Sequence, residues 1–394
     1  MADQNTDTHL QGQPVTYLVT GGAGFIGTNF VKYLVREYGQ YVNIIVLDAL
    51  TYAGNLANLK DVLELPNVEF VHCDINDEAL VNRLFTLHNP DYVVNFAAET
   101  HVDRSITGPR VFATTNILGT QTLLEAARQA WRKGDGTWMP DKKFLQISTD
   151  EVYGSLPREY EQAQPIAIAD DVRAVMTDRT DTPMSFGSGY FTETTRLAPR
   201  SPYSAAKASA DMLVLAYAHT YGMPVNITRC SNNYGPWQFP EKLIPLMINN
   251  VLEGRELPVY GRGLNVRDWL YVDDHCSAVD TVLRHGRMGE VYNIGGFNEK
   301  ANIDIVTTII DTVAALTGTA PRHDLIRYVT DRPGHDMRYA IDPAKTVSEL
   351  GWYPRTPFAK GIVETVKWNL DNRSWIQDIV NGSYRDYYER MYHM

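Results

Sequence analysis

The chain has 394 residues, of which 44% are hydrophobic and 21% charged, as is ordinary for a soluble globular protein of two or three domains. Its net charge of −11 argues against nucleic acid or an anionic membrane as a partner. Cys73, Cys230 and Cys276 lie far apart without a paired motif, which favours a reducing, cytoplasmic location over disulfides or a metal centre. No apolar run reaches spanning length, and residues 1–13 are predicted to be a disordered polar tail.

A glycine-rich turn at residues 21–27 follows the first predicted strand, Val15–Thr20. Gly21 and Gly24 would allow a tight turn and close approach of the backbone to a pyrophosphate, and Gly27 would let the next helix pack on the strand. The spacing is G-x-x-G-x-x-G. Because such turns also occur without a ligand, this motif is weak when taken alone.

An acidic residue strengthens the dinucleotide interpretation. The second predicted strand, Val42–Leu47, ends at Asp48, which lies 21 residues after Gly27. This is close to the spacing expected of a carboxylate that binds a ribose hydroxyl, and such an acid would repel a 2′-phosphate. The pattern therefore favours NAD over NADP. A purely structural Asp48 is the alternative.

Strands and helices continue to alternate through the first 150 residues. Further strands are predicted at Val68–His72, Asp91–Phe96 and Lys143–Ile147, with helices from about Thr28 to Tyr38, Asn76 to His88 and Val111 to Arg132. Repeated strand–helix units predict an α/β fold with a doubly wound parallel Rossmann-type sheet. In such sheets ligands bind beyond the carboxyl ends of the strands.

One hydroxyl and two carboxyl side chains, Thr149, Asp150 and Glu151, follow the predicted strand Lys143–Ile147. Two adjacent carboxylates repel each other in a dry site, so that one proton is readily retained. An acid beside a base is what an elimination of water requires. Taken alone, the three residues are better interpreted as a polar exit from a strand.

Tyr203 and Lys207 lie on one face of a helix predicted from Ser201 to about Tyr221. An ammonium group about 4 Å from the phenol would lower its pKa by roughly three units. The phenolate could then take a proton from a substrate hydroxyl as hydride leaves the carbon. A chance pair on a surface helix is the alternative. The long connection 155–200 precedes this helix and is interpreted as a lid, an oligomer contact or an insertion.

Elements become shorter after the predicted strand Pro224–Arg229, with a helix from about Leu246 to Glu253 and a loop that begins at Val259. This change predicts a smaller mixed α/β substrate-capping lobe. The expected division is a Rossmann domain at 14–235, which contains the connection 155–200, and a lobe mainly at 236–394. The chain is expected to cross back around 265–295. The terminal segment Tyr384–Tyr392 is expected to pack on the lobe and is assigned no function.

The glycine turn together with Tyr203-x-x-x-Lys207 resembles the extended short-chain dehydrogenase/reductase superfamily and its NAD-dependent epimerase/dehydratase family. Within it the 4,6-dehydratases are most similar, over about residues 15–370. The stretches that carry this likeness are Asp48–Asn55, Ala97–Ser105, Ser148–Gly154, Arg229–Pro236, Pro240–Pro245, Arg267–Val272 and Asp331–Asp336. The chain departs from the family pattern in its longer connection 155–200 and in Ala206, where serine is common.

The resemblance implies an NAD-dependent dehydration of dTDP-glucose to dTDP-4-keto-6-deoxyglucose in deoxysugar or rhamnose biosynthesis, by a homodimer. Oxidation at C4 precedes loss of water across C5 and C6 and return of hydride to C6. Tyr203, assisted by Lys207, would take the C4 hydroxyl proton. Glu151 would take the C5 proton, Asp150 would protonate the leaving C6 hydroxyl, and Thr149 would bind O4. A nucleotide-sugar 4-epimerase or decarboxylase is the alternative activity, and a non-catalytic NAD sensor is the alternative class.

The resemblance also implies two sets of contacts. For NAD these are Gly21, Gly24, Phe25, Ile26, Gly27, Asp48, Leu50, Thr51, Gly54, Asp74, Ile75, Phe96, Ala97, Ala98, Thr100, Thr115, Tyr203, Lys207 and Asn233. For the nucleotide sugar they are Thr100, His101, Thr149, Asn232, Lys242, Leu243, Pro258, Tyr260, Arg267, Asn302, Arg332, His335 and Asp336. Lys242, Arg267 and Arg332 are the candidates for the diphosphate, because basic side chains bind phosphate oxygens. No metal site is expected, since His335 has no second ligand at useful spacing.

Overall fold

The computed structural model describes residues 14–157, 189–331 and 334–380. The predicted tail 1–13, most of the connection 155–200, the candidate ligand Arg332 and the segment Tyr384–Tyr392 lie outside the described residues. None of the helices in the described ranges is long and apolar enough to cross a membrane.

The described residues divide into two compact units. The first unit comprises 14–148, Ser201–Thr228 and Val279–Val291, and the second unit comprises the remaining described residues, 149–157, 189–200, Arg229–Ala278, 292–331 and 334–380. The chain thus passes from one unit to the other several times, because each unit takes its residues from separate stretches of sequence.

A seven-stranded sheet is assembled in the described residues. Its strands are β1 (Val15–Thr20), β2 (Val42–Asp48), β3 (Val68–His72), β4 (Tyr92–Asn95), β5 (Lys143–Thr149), β6 (Val225–Cys230) and, after three strands that belong to other sheets, β10 (Val291–Ile294). They lie in the order β3-β2-β1-β4-β5-β6-β10, and β1 pairs in parallel with both β2 and β4. This is the doubly wound order of dinucleotide-binding sheets, with its switch point between β1 and β4. The predicted Rossmann-type fold is confirmed.

Helices of the first unit cover the sheet. They are α1 (Phe25–Tyr38), α2 (Glu78–His88), α3 (Val102–Thr107), α4 (Pro109–Ala113), α5 (Thr120–Trp131), α6 (Pro202–Tyr221) and, after a further helix in the second unit, the latter part of α8 (Val272–His285). Leu18 and Val93 from the sheet pack with Leu123 and Trp131 of α5 in one buried cluster. The sheet is therefore apolar along its strands, as burial between helices requires.

Several predicted boundaries of the first unit differ from the structure. Helix α1 begins at Phe25 rather than Thr28, because Gly24 is extended and serves as its N-cap. The helix predicted at Val111–Arg132 is interrupted by a π-helical turn, Thr114–Gly119. A Cβ at Gly119 would lie 2.4 Å from Ile75 Cδ1, so the turn allows close packing of that side chain. Strand β5 continues through Thr149, two residues beyond its predicted end.

The second unit is a mixed α/β assembly, as predicted. Three strands, β7 (Asn232–Tyr234), β9 (Val266–Tyr271) and β11 (Glu299–Ala301), form one sheet with β9 in the centre. Strands β8 (Leu257–Tyr260) and β12 (Ile326–Val329) form a parallel pair. The helices are α7 (Leu243–Glu253), the start of α8, α9 (Asn302–Thr317), α10 (Ala344–Leu350), α11 (Phe358–Asp371) and α12 (Arg373–Val380).

Two predictions for the second unit are wrong. The loop predicted to begin at Val259 is part of β8, because Leu257 and Val259 both point into the core and alternate with more exposed neighbours. Helix α7 begins at Leu243 rather than Leu246, with Lys242 as its extended N-cap residue.

Candidate functional site

The glycine turn forms a cradle of bare backbone at the β1–β4 switch point. Gly21 has φ +66°, and a Cβ there would lie 2.7 Å from Ala97 N. A Cβ at Gly27 would lie 2.2 Å from Gly21 O, so the first turn of α1, with Phe25 and Ile26, closes directly onto the end of β1. Backbone amides at a helix N-terminus bind a pyrophosphate best where no side chain intervenes. The turn therefore fits a dinucleotide.

Asp48 connects the end of β2 to the glycine turn. Its Oδ2 accepts a hydrogen bond from Ala23 N at 2.9 Å, and its Oδ1 accepts one from Leu50 N at 2.8 Å. Leu50 has φ +50°, and a Cβ at Gly54 would lie 2.7 Å from Asp48 Oδ1. Burial raises the pKa of Asp48, while the amide hydrogen bonds oppose this rise. The carboxylate thus shapes the cradle, and its remaining lone pairs could accept a ribose hydroxyl.

Backbone hydrogen bonds close the turn that follows Asp48. Gly54 N donates to Thr51 O at 3.1 Å, and Asn55 N donates to Ala23 O at 3.0 Å. The predicted cofactor contacts Leu50, Thr51 and Gly54 are therefore brought to the same side of the sheet as the glycine turn.

A polar network joins the ends of three central strands. Thr20 Oγ1 donates to Asn95 Oδ1 at 2.6 Å and accepts a hydrogen bond from Ala97 N at 3.3 Å. Asn95 Nδ2 donates to Gln146 Oε1 at 2.9 Å. The network fixes the exit of β4, which carries the predicted contacts Phe96, Ala97 and Ala98. Sequence reasoning missed it, although polar residues at the ends of buried strands were the available signal.

The other predicted contacts of the first unit follow β3 and β4 or lie on the interrupted helix. Asp74 Oδ1 accepts a hydrogen bond from Asn76 N at 2.8 Å, and Ile75 is buried against Gly119. Thr100 precedes His101, whose Nδ1 accepts a hydrogen bond from Arg104 N at 3.3 Å and caps α3. Thr115 lies in the π-helical turn, which packs against α6.

Helix α6 begins with a capping box that sets the position of Tyr203. Ser204 N donates to Ser201 Oγ, and Ser201 N donates to Ser204 Oγ, each at 3.1 Å. Tyr203 lies in the first turn, is 8% exposed and packs edge-on against Phe112. Lys207, one turn later, is 4% exposed and donates from Nζ to Ile147 O at 2.5 Å. The ammonium group is thereby anchored at the carboxyl-terminal part of β5.

Asp150 is the most buried member of the predicted acid–base group. It is 1% exposed, its Oδ1 accepts a hydrogen bond from Thr149 Oγ1 at 3.3 Å, and its Oδ2 has no hydrogen-bond partner within the described ranges. Burial raises the pKa of Asp150 well above its usual range, and the charges of Glu151 and Asp268 raise it further. Glu151 is only half-buried, and its backbone N donates to Thr149 Oγ1 at 3.3 Å. Asp150 is therefore suited to hold a proton.

Side chains that sequence reasoning missed hold this turn in place. Tyr153 OH donates to Asn293 Oδ1 at 2.8 Å, and Arg229 Nη1 donates to Tyr153 OH at 2.9 Å. Gly154 has φ +91°, and a Cβ there would lie 2.6 Å from Ala198 O. Only glycine fits this position, so the chain can leave the acid pair without displacing it.

Arg267, Asn302 and Asp336 are brought together in the second unit. Arg267 Nη2 donates to Asp336 O at 2.9 Å, and its guanidinium carbon lies 4.0 Å from the centre of the Tyr339 ring. Asn265, which sequence reasoning missed, donates from Nδ2 to Asp336 O at 3.1 Å and accepts a hydrogen bond on its backbone O from Asn302 N at 3.0 Å.

The remaining predicted sugar-nucleotide contacts lie on three further elements of the second unit. Tyr260, on β8 with Pro258, packs edge-on against His335, whose ring centre is 6.1 Å away. Lys242 and Leu243 lie at the start of α7. Asn232 lies on β7 beside Asn233, which is a predicted cofactor contact.

Groups that could bind a metal ion are not assembled in the described part of the chain. Within it, no cluster of three or more His, Cys, Asp or Glu side chains is placed to hold one. Cys73, Cys230 and Cys276 are buried free thiols.

Comparison with known proteins places the chain in a family. The NAD dependent epimerase/dehydratase family model matches residues 17–295. The chain is 51% identical over 373 residues to a dTDP-glucose 4,6-dehydratase of Xanthomonas campestris pv. campestris (strain B100), covering 94% of this chain and 97% of that protein.

Two solved structures are similar over most of the chain. The dTDP-glucose 4,6-dehydratase of Bacillus anthracis str. Ames, in complex with NAD, is 46% identical with a TM-score of 0.76, covering 93% of this chain and 99% of that one. The dTDP-glucose 4,6-dehydratase DesIV of Streptomyces venezuelae, with NAD and TYD bound, is 44% identical with a TM-score of 0.78, covering 93% and 100%. The switch-point glycine cradle, the Tyr203–Lys207 helix and these matches agree, and the chain belongs to the NAD dependent epimerase/dehydratase family.

Proposed function

We propose that the protein catalyses the NAD-dependent dehydration of dTDP-glucose to dTDP-4-keto-6-deoxyglucose, a step of deoxysugar biosynthesis. The observation that carries this proposal is the unequal environment of two neighbouring carboxyl groups. Asp150 is buried with a strongly raised pKa, whereas Glu151 is half-buried beside it. An elimination needs one acid and one base, and these neighbours supply both. The names of the similar proteins support the same activity.

NAD, when bound, accepts hydride from C4 of the sugar and returns it to C6. We assign its pyrophosphate to the backbone of the cradle formed by Gly21, Gly24 and Gly27, and its ribose hydroxyls to Asp48. The first unit is accordingly the NAD-binding domain. Since no side chain enters the cradle, the phosphates can approach the amides at the start of α1 directly.

Tyr203 takes the proton of the C4 hydroxyl. The ammonium group of Lys207 stabilises the phenolate that performs this step. Lys207 is itself held in place by its hydrogen bond to Ile147 O. The capping box at Ser201 fixes the first turn of α6, so the tyrosine is placed before the substrate arrives.

The 4-ketone then acidifies the C5 hydrogen, which Glu151 removes. Asp150 gives its proton to the C6 hydroxyl, which leaves as water. As hydride adds to C6, Glu151 returns a proton to C5. Because the hydride taken from C4 is returned to C6, the reaction is redox-neutral. Tyr203 ends the cycle with one extra proton and Asp150 with one fewer, and proton exchange with solvent restores both groups. Thr149 binds O4, and its own hydroxyl is already oriented by Asp150 and the amide of Glu151.

The second unit is assigned to the nucleotide sugar. Arg267 is held by main-chain carbonyls and by the Tyr339 ring, which orients its guanidinium group. We assign the diphosphate to Arg267, Lys242 and Arg332. The remaining sugar-nucleotide contacts are proposed at Asn232, Asn302 and His335.

Incubation of the purified protein with dTDP-glucose and NAD tests this function. A keto-sugar product without net reduction of NAD is expected. A galactose-type product would instead indicate a 4-epimerase, loss of carbon dioxide from an acidic sugar nucleotide would indicate a decarboxylase, and tight NAD binding without turnover would indicate a sensor.

Glu151→Gln tests the assignment of the base. The variant should lose exchange of the C5 hydrogen with deuterated solvent, because an amide cannot take the proton. Glu193→Gln is the matched control, since Glu193 is also a half-buried acid of the second unit, bound to Asn293 N at 2.9 Å. Exchange at the parent rate in Glu151→Gln would show that another residue is the base.

A homodimer is proposed to form through the first unit. Val111 on α4, Leu118 in the π-helical turn and Met212 on α6 are exposed apolar residues on elements that pack against one another. Such a cluster marks a protein interface. Leu118→Glu with Met212→Glu should yield a monomer by light scattering, whereas Leu87→Glu, at an exposed position of α2, should not. A dimer retained by the double variant would contradict this interface.

A cytoplasmic location is proposed from the thiols. The three cysteines are free, and free thiols persist in a reducing compartment. Fractionation of the native host should recover the activity with the cytoplasm.

A further inference from the structure

Asp268 is a buried carboxyl group that accepts hydrogen bonds from two backbone amides. It lies on β9 and is 2% exposed. Its Oδ2 accepts a hydrogen bond from Gly296 N and its Oδ1 accepts one from Asn298 N, each at 2.7 Å. Burial raises the pKa of Asp268, and these amides oppose the rise. Hydrogen bonds to both oxygens favour the ionised form, because a protonated oxygen accepts less well.

The approach of these amides depends on a glycine. A Cβ at Gly296 would lie 2.1 Å from Trp269 O, so no other residue fits without moving β9. Asn298 Nδ2 adds hydrogen bonds to Trp269 O at 2.9 Å and to Gly296 O at 2.8 Å. The segment 296–298 is thus held rigidly around the Asp268 carboxylate.

Asp150 is as buried as Asp268 but is bound very differently. One of its oxygens accepts a long hydrogen bond from Thr149 Oγ1, and the other has no hydrogen-bond partner within the described residues. The charged groups that act on it are Glu151 and Asp268, which favour its neutral form, and Arg267, which opposes them.

Arg267 is held by backbone carbonyl groups of the second unit. Its guanidinium donates to Val266 O at 2.7 Å and to Asp336 O at 2.9 Å, and it stacks on Tyr339. Of the two buried aspartates, Asp268 is therefore equipped to keep its charge and Asp150 to keep a proton.

We propose that Asp268 is a positioning residue for the dehydration, whose fixed negative charge keeps Asp150 in the acid form that protonates the leaving C6 hydroxyl. This inference rests on the proposed function. Asp268 does not touch the sugar in this role. It acts through Asp150, and it also promotes recovery of the proton after each turnover, since an ionised Asp150 would face the charges of Asp268 and Glu151 together.

The pH profile of kcat tests the proposal. A group that must be protonated produces the basic limb of such a profile. Asp268→Asn removes the charge, so the basic limb should move to lower pH by about one to two units. Asp342→Asn is the matched control, because Asp342 is also 2% exposed and accepts a backbone hydrogen bond, from Ala344 N at 2.8 Å. Its basic limb should remain at the parent position.

Asp268→Ser and Asp268→Glu complete the series. The serine hydroxyl can accept one amide hydrogen bond without a charge, so this variant serves if Asp268→Asn fails to fold, and it should show the same shift. Asp268→Glu keeps the negative charge, so the basic limb of its kcat profile should lie at the same pH as in the parent protein. A uniform loss of kcat with an unmoved basic limb in the folded charge-free variants would overturn the proposal and indicate a purely structural aspartate.

An infrared titration separates this inference from the proposed function, since it requires no turnover. The parent protein should show, at neutral pH, the carbonyl band of a buried protonated carboxylic acid that is lost in Asp150→Asn. That band should titrate at lower pH in Asp268→Asn or Asp268→Ser. Absence of an Asp150-dependent band, or a band that titrates identically without the Asp268 charge, would contradict the inference even if dTDP-glucose is dehydrated. A band that shifts in a protein inactive on dTDP-glucose would refute the proposed function alone.

Discussion

Gly21 and Ala97 lie so close that no side chain fits between them. A Cβ at Gly21 would lie 2.7 Å from Ala97 N, and the φ of +66° at Gly21 already favours glycine. Gly21 directly follows β1, and Ala97 comes two residues after the end of β4. These are the two strands between which the winding direction of the sheet reverses. The crevice at this reversal is consequently lined by backbone, which is the surface that binds phosphate groups.

Gly27→Ala should weaken NAD binding about tenfold or more, which corresponds to about 1.4 kcal/mol. The added Cβ would lie 2.2 Å from Gly21 O and would push α1 away from the turn. Overpacking of this kind should also lower the free energy of unfolding by about 1–3 kcal/mol. Calorimetric titration with NAD and urea denaturation measure the two effects.

Gly134→Ala is the matched control for this substitution. A Cβ at Gly134 meets no atom within 4 Å, and the position belongs to the same unit. Both its NAD affinity and its free energy of unfolding should equal those of the parent. Equal affinity of Gly27→Ala and the parent would show that the turn does not hold the cofactor.

The strands and motifs of the first unit could be predicted because each is indicated by a short stretch of neighbouring residues. A strand such as Val15–Thr20 is a continuous run, buried from Tyr17 onwards, whose bounds are confirmed to the residue. The glycine turn and the Tyr203–Lys207 pair each fall within seven residues of sequence. In contrast, β7 and β11 have three residues each, too few to show a period. Their existence depends on pairing with β9, which brings Asn232 opposite Trp269 from a distant part of the chain.

The polar surroundings of the candidate site could not be predicted for the same reason. Asn265 and Asn293 lie in no stretch that was singled out from the sequence. Asp268 lies in the stretch Arg267–Val272, but its hydrogen-bond partners lie in another part of the chain. Asp268 accepts a hydrogen bond from the backbone amide of Asn298, 30 residues later in the chain. Asn293 accepts one from the hydroxyl of Tyr153, 140 residues earlier. The candidate reacting residues were predicted from short motifs, whereas the side chains that surround them could be identified only in the tertiary structure.

Arg284→Met should lower the free energy of unfolding by about 3–5 kcal/mol, because it would leave the buried charge of Asp280 uncompensated. Arg284 Nε donates to Asp280 Oδ1 at 3.0 Å, and its Nη2 donates to Tyr17 OH at 2.7 Å. Both charged side chains are less than a tenth exposed. The double variant Asp280→Asn with Arg284→Met should recover part of the loss.

Arg128→Met is the control for a lost arginine. Arg128 pairs with Glu125 at 2.6 Å on a more exposed face of α5, where such pairs contribute under about 1 kcal/mol. Urea denaturation measures the free energy of unfolding of these three variants and of the parent protein. Equal losses in Arg284→Met and Arg128→Met would mean that burial of the Asp280 pair is unimportant.

Tyr203→Phe should lower kcat by about a hundredfold to ten-thousandfold, which is the usual contribution of a proton-transferring side chain. The substitution removes the hydroxyl and keeps the ring that packs against Phe112, so folding should be preserved. Tyr217→Phe is the matched control, because Tyr217 lies on the same helix and its hydroxyl donates a hydrogen bond to Glu125 Oε2 at 3.3 Å. It should retain parent activity. If Tyr203→Phe kept full activity, Tyr203 would not be the residue that takes the C4 hydroxyl proton.

His275 should make the protein less stable as the pH falls below about 6.5. It is fully buried on α8, and neither ring nitrogen has a hydrogen-bond partner in the described ranges. Burial lowers the pKa of His275 to about 3. Between these two pH values the unfolded chain binds a proton that the folded protein does not, so the free energy of unfolding falls by up to about 1.4 kcal/mol for each unit of acidification.

His275→Phe should therefore flatten the dependence of unfolding free energy on pH between about 6 and 4, because the substituted side chain cannot bind that proton. His219→Gln, at an exposed position of α6, should leave the parent slope unchanged. Urea denaturation at half-unit pH steps measures both slopes. Since a buried imidazolium without a partner is costly whereas a neutral imidazole is tolerated, a parent-like slope in His275→Phe would show that His275 is protonated in the folded protein as readily as in the unfolded chain.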